Sequence, residues 1–143
     1  MDAYRSDRVW WKKMMMRHNM PLKHRLLTIL SLAASNGQNQ VPLKFFFEIF
    51  ADLSAQFPEV LTGLDANRTP FYAYSKPLDA ALQALIGLGV DIPNPDLRSI
   101  EVSSPAAEHF IMRLRDSYGL EAVGEFDVIA GELINRVKYY SET

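Results

Sequence analysis

The sequence contains no cysteine, which excludes disulfide bridges, thiolate nucleophiles and cysteine-ligated metals. It also lacks a long apolar run: residues 26–34 form the longest one, and they are too few and too interrupted to span a bilayer. The first residues include Asp2 and Asp7 and have no sustained apolar core, so they do not resemble a secretory signal. We therefore expect a cytoplasmic protein, and we interpret it as prokaryotic.

The usual motifs of catalysis are missing as well. There is no glycine-rich phosphate loop ending in Lys-Ser/Thr, no His-Glu-x-x-His and no Gly-x-Ser-x-Gly elbow. His18 and His24 are six positions apart and fall on different predicted helices, which is not zinc spacing. We expect a non-enzymatic protein without a cofactor or metal, and no feature indicates a small-molecule substrate.

The composition is that of an ordinary globular domain. Of 143 residues, 48% are apolar and 22% are charged, and the net charge is −2, so the chain is long and apolar enough to bury a core. We divide it into a basic N-terminal helical arm, residues 1–19, and a single helical domain, residues 20–143.

Charge is unevenly distributed between the two ends of the chain. Residues 1–28 contain seven Lys or Arg and two acids, about +5, whereas the remainder contains eight Lys or Arg and fifteen acids, about −7. Such asymmetry indicates that the first segment meets a negative surface, either on a partner or on the chain's own acidic body.

The arm itself has three interpretations. Residues 1–18 can form a helix with Trp10 and Trp11 on one side, and those tryptophans can dock on the domain or across a dimer axis. They can equally contact a partner protein, or the basic residues can bind nucleic acid or an anionic membrane surface. The basic residues concerned are Arg5, Arg8, Lys12, Lys13 and Arg17.

Apolar periodicity predicts most of the remaining helices. One helix begins at Pro21 and ends at Asn36-Gly37, and a second follows Pro42 with a phenylalanine-rich stripe. Further helices are predicted from Pro77 to about Leu88, over residues 105–117 and over residues 125–140. The last is a candidate dimerisation element or a partner for the basic arm.

The segment Arg68-Thr69-Pro70-Phe71-Tyr72-Ala73-Tyr74 is the strongest candidate contact loop. An arginine beside three aromatic residues is typical of protein-binding hot spots and can also stack on bases. The alternative is a loop that packs its rings against the body of the domain. We take Arg68, Phe71, Tyr72 and Tyr74 as candidate partner-binding residues.

Residues 75–115 resemble the third helix and wing of winged-helix proteins. The run Leu82-Gln83-Ala84-Leu85-Ile86-Gly87-Leu88-Gly89-Val90 resembles a recognition helix entering a wing, residues 99–103 resemble the returning strand, and Ser104-Pro105 resembles the start of the next helix. The resemblance implies a mainly α, winged-helix-like domain with a short two-stranded wing and extra N- and C-terminal helices. The loop from Asp91 to Arg98 then forms a proline-stiffened wing tip.

The chain departs from that family in the chemistry of the third helix. A helix that reads bases needs polar or basic side chains, but this one presents Ala80 and Ala84, with Asp79 among them. Such small residues favour close approach of a protein. We therefore expect an interaction module, a small subunit or adaptor of a prokaryotic multi-component assembly such as a defence system, with a protein partner or a homodimer. The alternative is a winged-helix DNA-binding regulator using the basic arm with Lys76, Gln83 and Arg98.

Overall fold

The computed structural model describes residues 20–68, 73–92 and 98–142. These residues are mainly helical, with a small three-stranded antiparallel sheet and a separate two-stranded hairpin. The helices are α1 (Leu22–Ser35), α2 (Leu43–Gln56), α3 (Lys76–Leu85), α4 (Ser104–Tyr118), α5 (Leu120–Gly124) and α6 (Asp127–Glu142). The strands are β1 (Gln40–Pro42), β2 (Asn67–Arg68), β3 (Ala73–Tyr74), β4 (Val90–Asp91) and β5 (Ser99–Val102).

Helix α1 is the centre of the core. Every residue from Leu26 to Ala34 is buried, so the helix is enclosed on all sides rather than along one stripe. It packs against α3, α4 and α6. The hydroxyl of Thr28 donates to the carbonyl of His24 at 2.6 Å, which satisfies this polar group inside the core. The apolar run of the sequence is therefore a core helix.

Helix α1 ends where Asn36-Gly37 predicted. Gly37 has φ +98°, and its N–H donates to the carbonyl of Ala34 at 3.0 Å. The N–H of Gln38 donates to the carbonyl of Ala33 at 2.9 Å, which completes a Schellman motif. After this turn, residues 38 and 39 connect α1 to β1.

The phenylalanine-rich helix α2 buries Phe46, Ile49, Phe50 and Leu53, which recur three and four positions apart. Each such side chain stabilises the fold by roughly 1.5 to 3 kcal/mol relative to an exposed position. Helix α6 packs against both α1 and α2. Across the α2–α6 contact, the hydroxyl of Tyr140 donates to the Asp52 carboxylate at 2.7 Å.

The three-stranded sheet has the order β1-β5-β4, with β5 in the centre. Val41 pairs with Ile100 on one side of β5, and Val90 pairs with Val102 on the other. All four side chains are buried against the helices. Strand β1 was not predicted, because Gln38 to Gln40 has the composition of a polar linker.

The chain between α2 and α3 is held by two polar side chains. Arg25 of α1 donates through Nη1 to the carbonyls of Val60 and Thr62, at 2.9 and 2.8 Å. Burial lowers the pKa of this guanidinium from its usual range. Ser75 donates to the carbonyl of Leu64 in a short hydrogen bond. These contacts position the β2–β3 hairpin beside the first turn of α3.

Among the described residues, no helix combines the length and the apolar character needed to cross a membrane.

Candidate interaction surface

The exposed residues of α3 form a single stripe. Lys76, Ala80, Gln83 and Ala84 are exposed and recur four, three and one positions apart, which places them on one side of the helix. The opposite side, Leu78, Ala81, Leu82 and Leu85, is buried in the core. We call the exposed stripe, together with Tyr74 before it and Leu88 after it, the α3 surface.

Ser75 caps the start of helix α3. The Oγ of Ser75 accepts a hydrogen bond from the N–H of Leu78 at 3.2 Å, and Pro77 occupies the first turn. Both features favour a helix start at this position. Since Ser75 is itself 2% exposed and bound to the carbonyl of Leu64, the start of α3 is fixed relative to the preceding loop.

Tyr74 stands at the beginning of the α3 surface. It is 39% exposed, and its ring lies 5.0 Å from that of Phe47 of α2. Its hydroxyl donates to the Asp79 carboxylate at 3.2 Å. Partial loss of hydration, followed by the Asp79 charge, raises the pKa of Tyr74 above its ordinary value. The ring is thus held in place on one side and open to solvent on the other.

The end of the α3 surface is a glycine-flanked leucine. Gly87 and Gly89 have φ values of +89° and +116°, and Leu88 between them is 69% exposed. The N–H of Gly87 donates to the carbonyl of Val90 at 3.1 Å, which closes the turn into β4. The turn therefore places a large apolar side chain in solvent just beyond the end of α3.

The basic residues proposed for nucleic acid are only partly described. Lys76 and Gln83 lie on the α3 surface, and Arg98 is exposed immediately before β5, where its backbone has φ +45°. The half-buried Asp79 lies between the first two in sequence, beside the α3 surface, so the charge of Lys76 is accompanied by one carboxylate. The remaining candidates, Arg5, Arg8, Lys12, Lys13 and Arg17, lie outside the described residues.

The partner-binding candidates divide in the same way. Tyr74, Ala80 and Ala84 come together on the α3 surface, while Trp10, Trp11, Phe71 and Tyr72 lie outside the described residues. Arg68 pairs with Ala73 in the hairpin through its backbone, and its side chain lies outside the described part of the chain.

Three residues at or near the α3 surface were not predicted as binding residues from the sequence. They are Leu88, which belongs to the surface, and Lys23 and His24, which come from the first turn of α1 and line a cavity beside Ala84. The Nδ1 of His24 lies 2.5 Å from the hydroxyl of Tyr118. The Gly-Leu-Gly pattern is typical of a turn and could have indicated that Leu88 is exposed. No pattern of neighbouring residues indicates that α1 approaches α3.

The part of the chain described by the structure contains no group of three or more His, Asp or Glu side chains suited to a metal ion. No family model matches the sequence, and the searches of curated proteins and of solved structures each found no significant match.

Proposed function

We propose that this chain is a non-enzymatic interaction module that contacts a protein partner through the α3 surface, as a small subunit or adaptor of a prokaryotic multi-component assembly. The observation that carries the proposal is the size and polarity of the side chains on this surface. Its centre, Ala80 and Ala84, is small and uncharged, and it ends in the exposed Leu88.

Small residues favour contact with another backbone because they allow a helix or strand to approach closely. Leu88 is 69% exposed and adds apolar area to this surface. Covering a leucine side chain completely stabilises a complex by roughly 1.5 to 3 kcal/mol. Tyr74 supplies a large ring whose position is already fixed by Phe47, so little conformational entropy is lost on binding. A leucine and a tyrosine on either side of a small, uncharged centre suit a protein partner.

The finer fold assignment is also a proposal: we infer a winged-helix-like domain, with α3 as its third helix and β4 and β5 as the strands of its wing. The order α3, β4, β5, α4 supports this assignment, as does the antiparallel pairing of Val90 with Val102. Fold alone does not determine whether such a helix contacts DNA or protein.

DNA binding is the second candidate function. It is favoured by the exposed Arg98 at the wing and by Lys76 at the start of α3. The basic first segment of the sequence adds about five positive charges. The α3 surface argues against base reading. In the middle of this surface Gln83 stands between two alanines, so a single side chain there can hydrogen-bond a base edge.

The proposed function is tested by placing a large charged side chain in the middle of the α3 surface. Ala84→Arg should abolish capture of the native partner by the tagged full chain, because it blocks close approach. Ala55→Arg is the matched control, since Ala55 is an exposed alanine of α2. Sedimentation of the purified protein measures in parallel whether the partner is a second copy.

Equal melting temperatures of the two variants are needed to show that both fold. If both variants retain the partner, or both retain the dimer mass, then the α3 surface is not the contact and the proposal is wrong.

A further inference from the structure

A small cavity lies between α1, the end of α3, β4 and α4, with a volume of about 150 Å³. Leu27, Leu85 and Val90 form its buried wall, and the half-buried Phe110 ring closes one side. Ala84 and Leu88, both exposed, stand at its rim. The cavity therefore opens at the Ala84–Leu88 end of the α3 surface and extends from there toward α1.

The size and lining of this cavity define the apolar part of a ligand. A volume of this order accommodates roughly one aromatic ring or a short branched aliphatic chain. Apolar side chains make up most of the wall, so water inside it has few hydrogen-bond partners. Displacing that water with an apolar group is favourable.

The polar groups of the cavity are together on one side. They are Lys23 and His24, from the first turn of α1, and no carboxylate is among the lining residues. The partial positive charge at the beginning of a helix adds to the charge of the Lys23 ammonium. This side of the cavity favours an anion.

His24 can act as a neutral hydrogen-bond donor at the same place. Burial, and then the charge of Lys23, lower the pKa of its imidazole. When the Tyr118 hydroxyl donates to Nδ1 of the neutral ring, the ring proton is on Nε2. An N–H donor beside an ammonium is a suitable pair for the two oxygens of a carboxylate.

We propose that this cavity binds a small apolar carboxylate, an aromatic or branched-chain acid, whose apolar group enters between Leu27, Leu85 and Phe110 and whose carboxylate contacts Lys23 and His24. This site shares Ala84 and Leu88 with the protein contact proposed for α3, whereas Ala80 and Tyr74 are not part of the cavity. It adds a ligand-binding activity to the interaction module.

The test is a methyl-resolved NMR titration of the full chain with benzoate and with isovalerate. Benzamide and benzylamine serve as probes of similar shape with a neutral and a positive group. We expect saturable binding of the acids at millimolar concentration, with shifts centred on Leu27, Leu85, Leu88 and Val90. The amide should bind roughly five- to tenfold more weakly, and the amine more weakly still.

Two variants test separately the contribution of the Lys23 charge and the need for an open cavity. Lys23→Gln should weaken benzoate binding by roughly five- to tenfold, whereas Lys44→Gln, a matched change at an exposed lysine in the first turn of α2, should leave it unchanged. Ala84→Phe should abolish binding because the added ring occupies the mouth of the cavity. Ala84 is exposed, so this substitution is compatible with folding.

Equal affinity for benzoate and benzamide, or an unchanged affinity in Lys23→Gln, would overturn the assignment of the carboxylate. Shifts located elsewhere, or no saturation by either acid, would overturn the site itself. If no acid binds and Ala84→Phe abolishes partner capture, the cavity receives a partner's side chain, and this proposal fails while the proposed function stands. Loss of capture in Ala84→Arg with normal benzoate binding by wild-type protein supports both.

Discussion

Gly89 lies directly against the ring of Phe110. A Cβ placed on Gly89 would be 2.7 Å from Cε2 of Phe110 and closer still to its Cζ, so the Phe110 ring or the turn would have to shift to admit it. The backbone of Gly89 also has φ +116°, which disfavours residues with a side chain. The turn that ends the α3 surface is therefore fixed by a ring from α4.

We expect Gly89→Ala to lower the free energy of unfolding by roughly 2 to 4 kcal/mol, from overpacking against Phe110 and from backbone strain. Gly87→Ala is the control, because Gly87 has φ +89° with no atom near its added Cβ. It should lose only about 1 to 2 kcal/mol, the backbone contribution.

Urea denaturation measures both losses, and Phe110→Leu in the Gly89→Ala background should recover part of the larger one. Equal losses in the two glycine variants would contradict the proposed contact.

Ser75 and Ser103 are both helix caps, but only Ser75 is buried. Ser75→Ala removes the cap of α3 and leaves the Leu64 carbonyl without its hydroxyl donor, so we expect a loss of about 2 to 3 kcal/mol. Ser103→Ala removes only the cap of α4, in which Oγ accepts from the N–H of Ala106 at 3.3 Å, and should lose about 1 kcal/mol. Thermal and urea unfolding compare the two. Equal losses in the two variants, or a larger loss in Ser103→Ala, would show that the Ser75–Leu64 hydrogen bond does not hold α3 in place.

The His24–Tyr118 pair predicts a pH dependence of stability. Burial and Lys23 lower the pKa of His24 in the folded chain below its ordinary value of 6.5. The unfolded chain therefore binds a proton that the folded chain does not, and stability falls as the pH drops from about 6.5 toward the lowered pKa. Burial raises the pKa of Tyr118, so the phenol remains protonated throughout this range.

Unfolding free energies of wild-type protein and of His24→Gln, measured between pH 7 and pH 5, test this assignment. Wild-type protein should lose more stability than the variant over that interval, since other titrating groups are common to both. A parallel decrease in the two proteins would mean that His24 has the same proton affinity in the folded and unfolded chains.

Much of the helical structure was predictable from local patterns. The stripe of Phe46, Phe50 and Leu53 predicted α2, and Gly37 predicted the end of α1. Strand β5 also matches its prediction closely, because Ile100 and Val102 alternate with polar residues. In each case the signal lies within a few consecutive residues.

The remaining features depend on contacts between distant residues. Strand β1 exists because Val41 pairs with Ile100, and the side chain of Asn39 donates to the carbonyl of Val102 at 3.0 Å. Nothing near Gln40 in the sequence indicates this pairing. The cavity beside Ala84 likewise requires α1 and α4 to meet the end of α3. The α3 surface was partly predictable, through Ala80 and Ala84, because it depends on one helical periodicity.

The positive charge of the first segment of the sequence, together with the composition of the α3 surface, predicts weak, salt-sensitive association with DNA. We expect fluorescence anisotropy with mixed-sequence duplex to show binding at low salt and none at physiological salt. Lys12→Gln, Lys13→Gln and Arg17→Gln together should reduce both the affinity and the salt slope, by about 0.9 for every phosphate that the variant no longer neutralises. Gln83→Ala should leave binding unchanged, because a single glutamine beside two alanines does not define a base-reading site. Binding that persists at physiological salt, and loses sequence preference in Gln83→Ala, would instead identify α3 as a DNA-recognition helix.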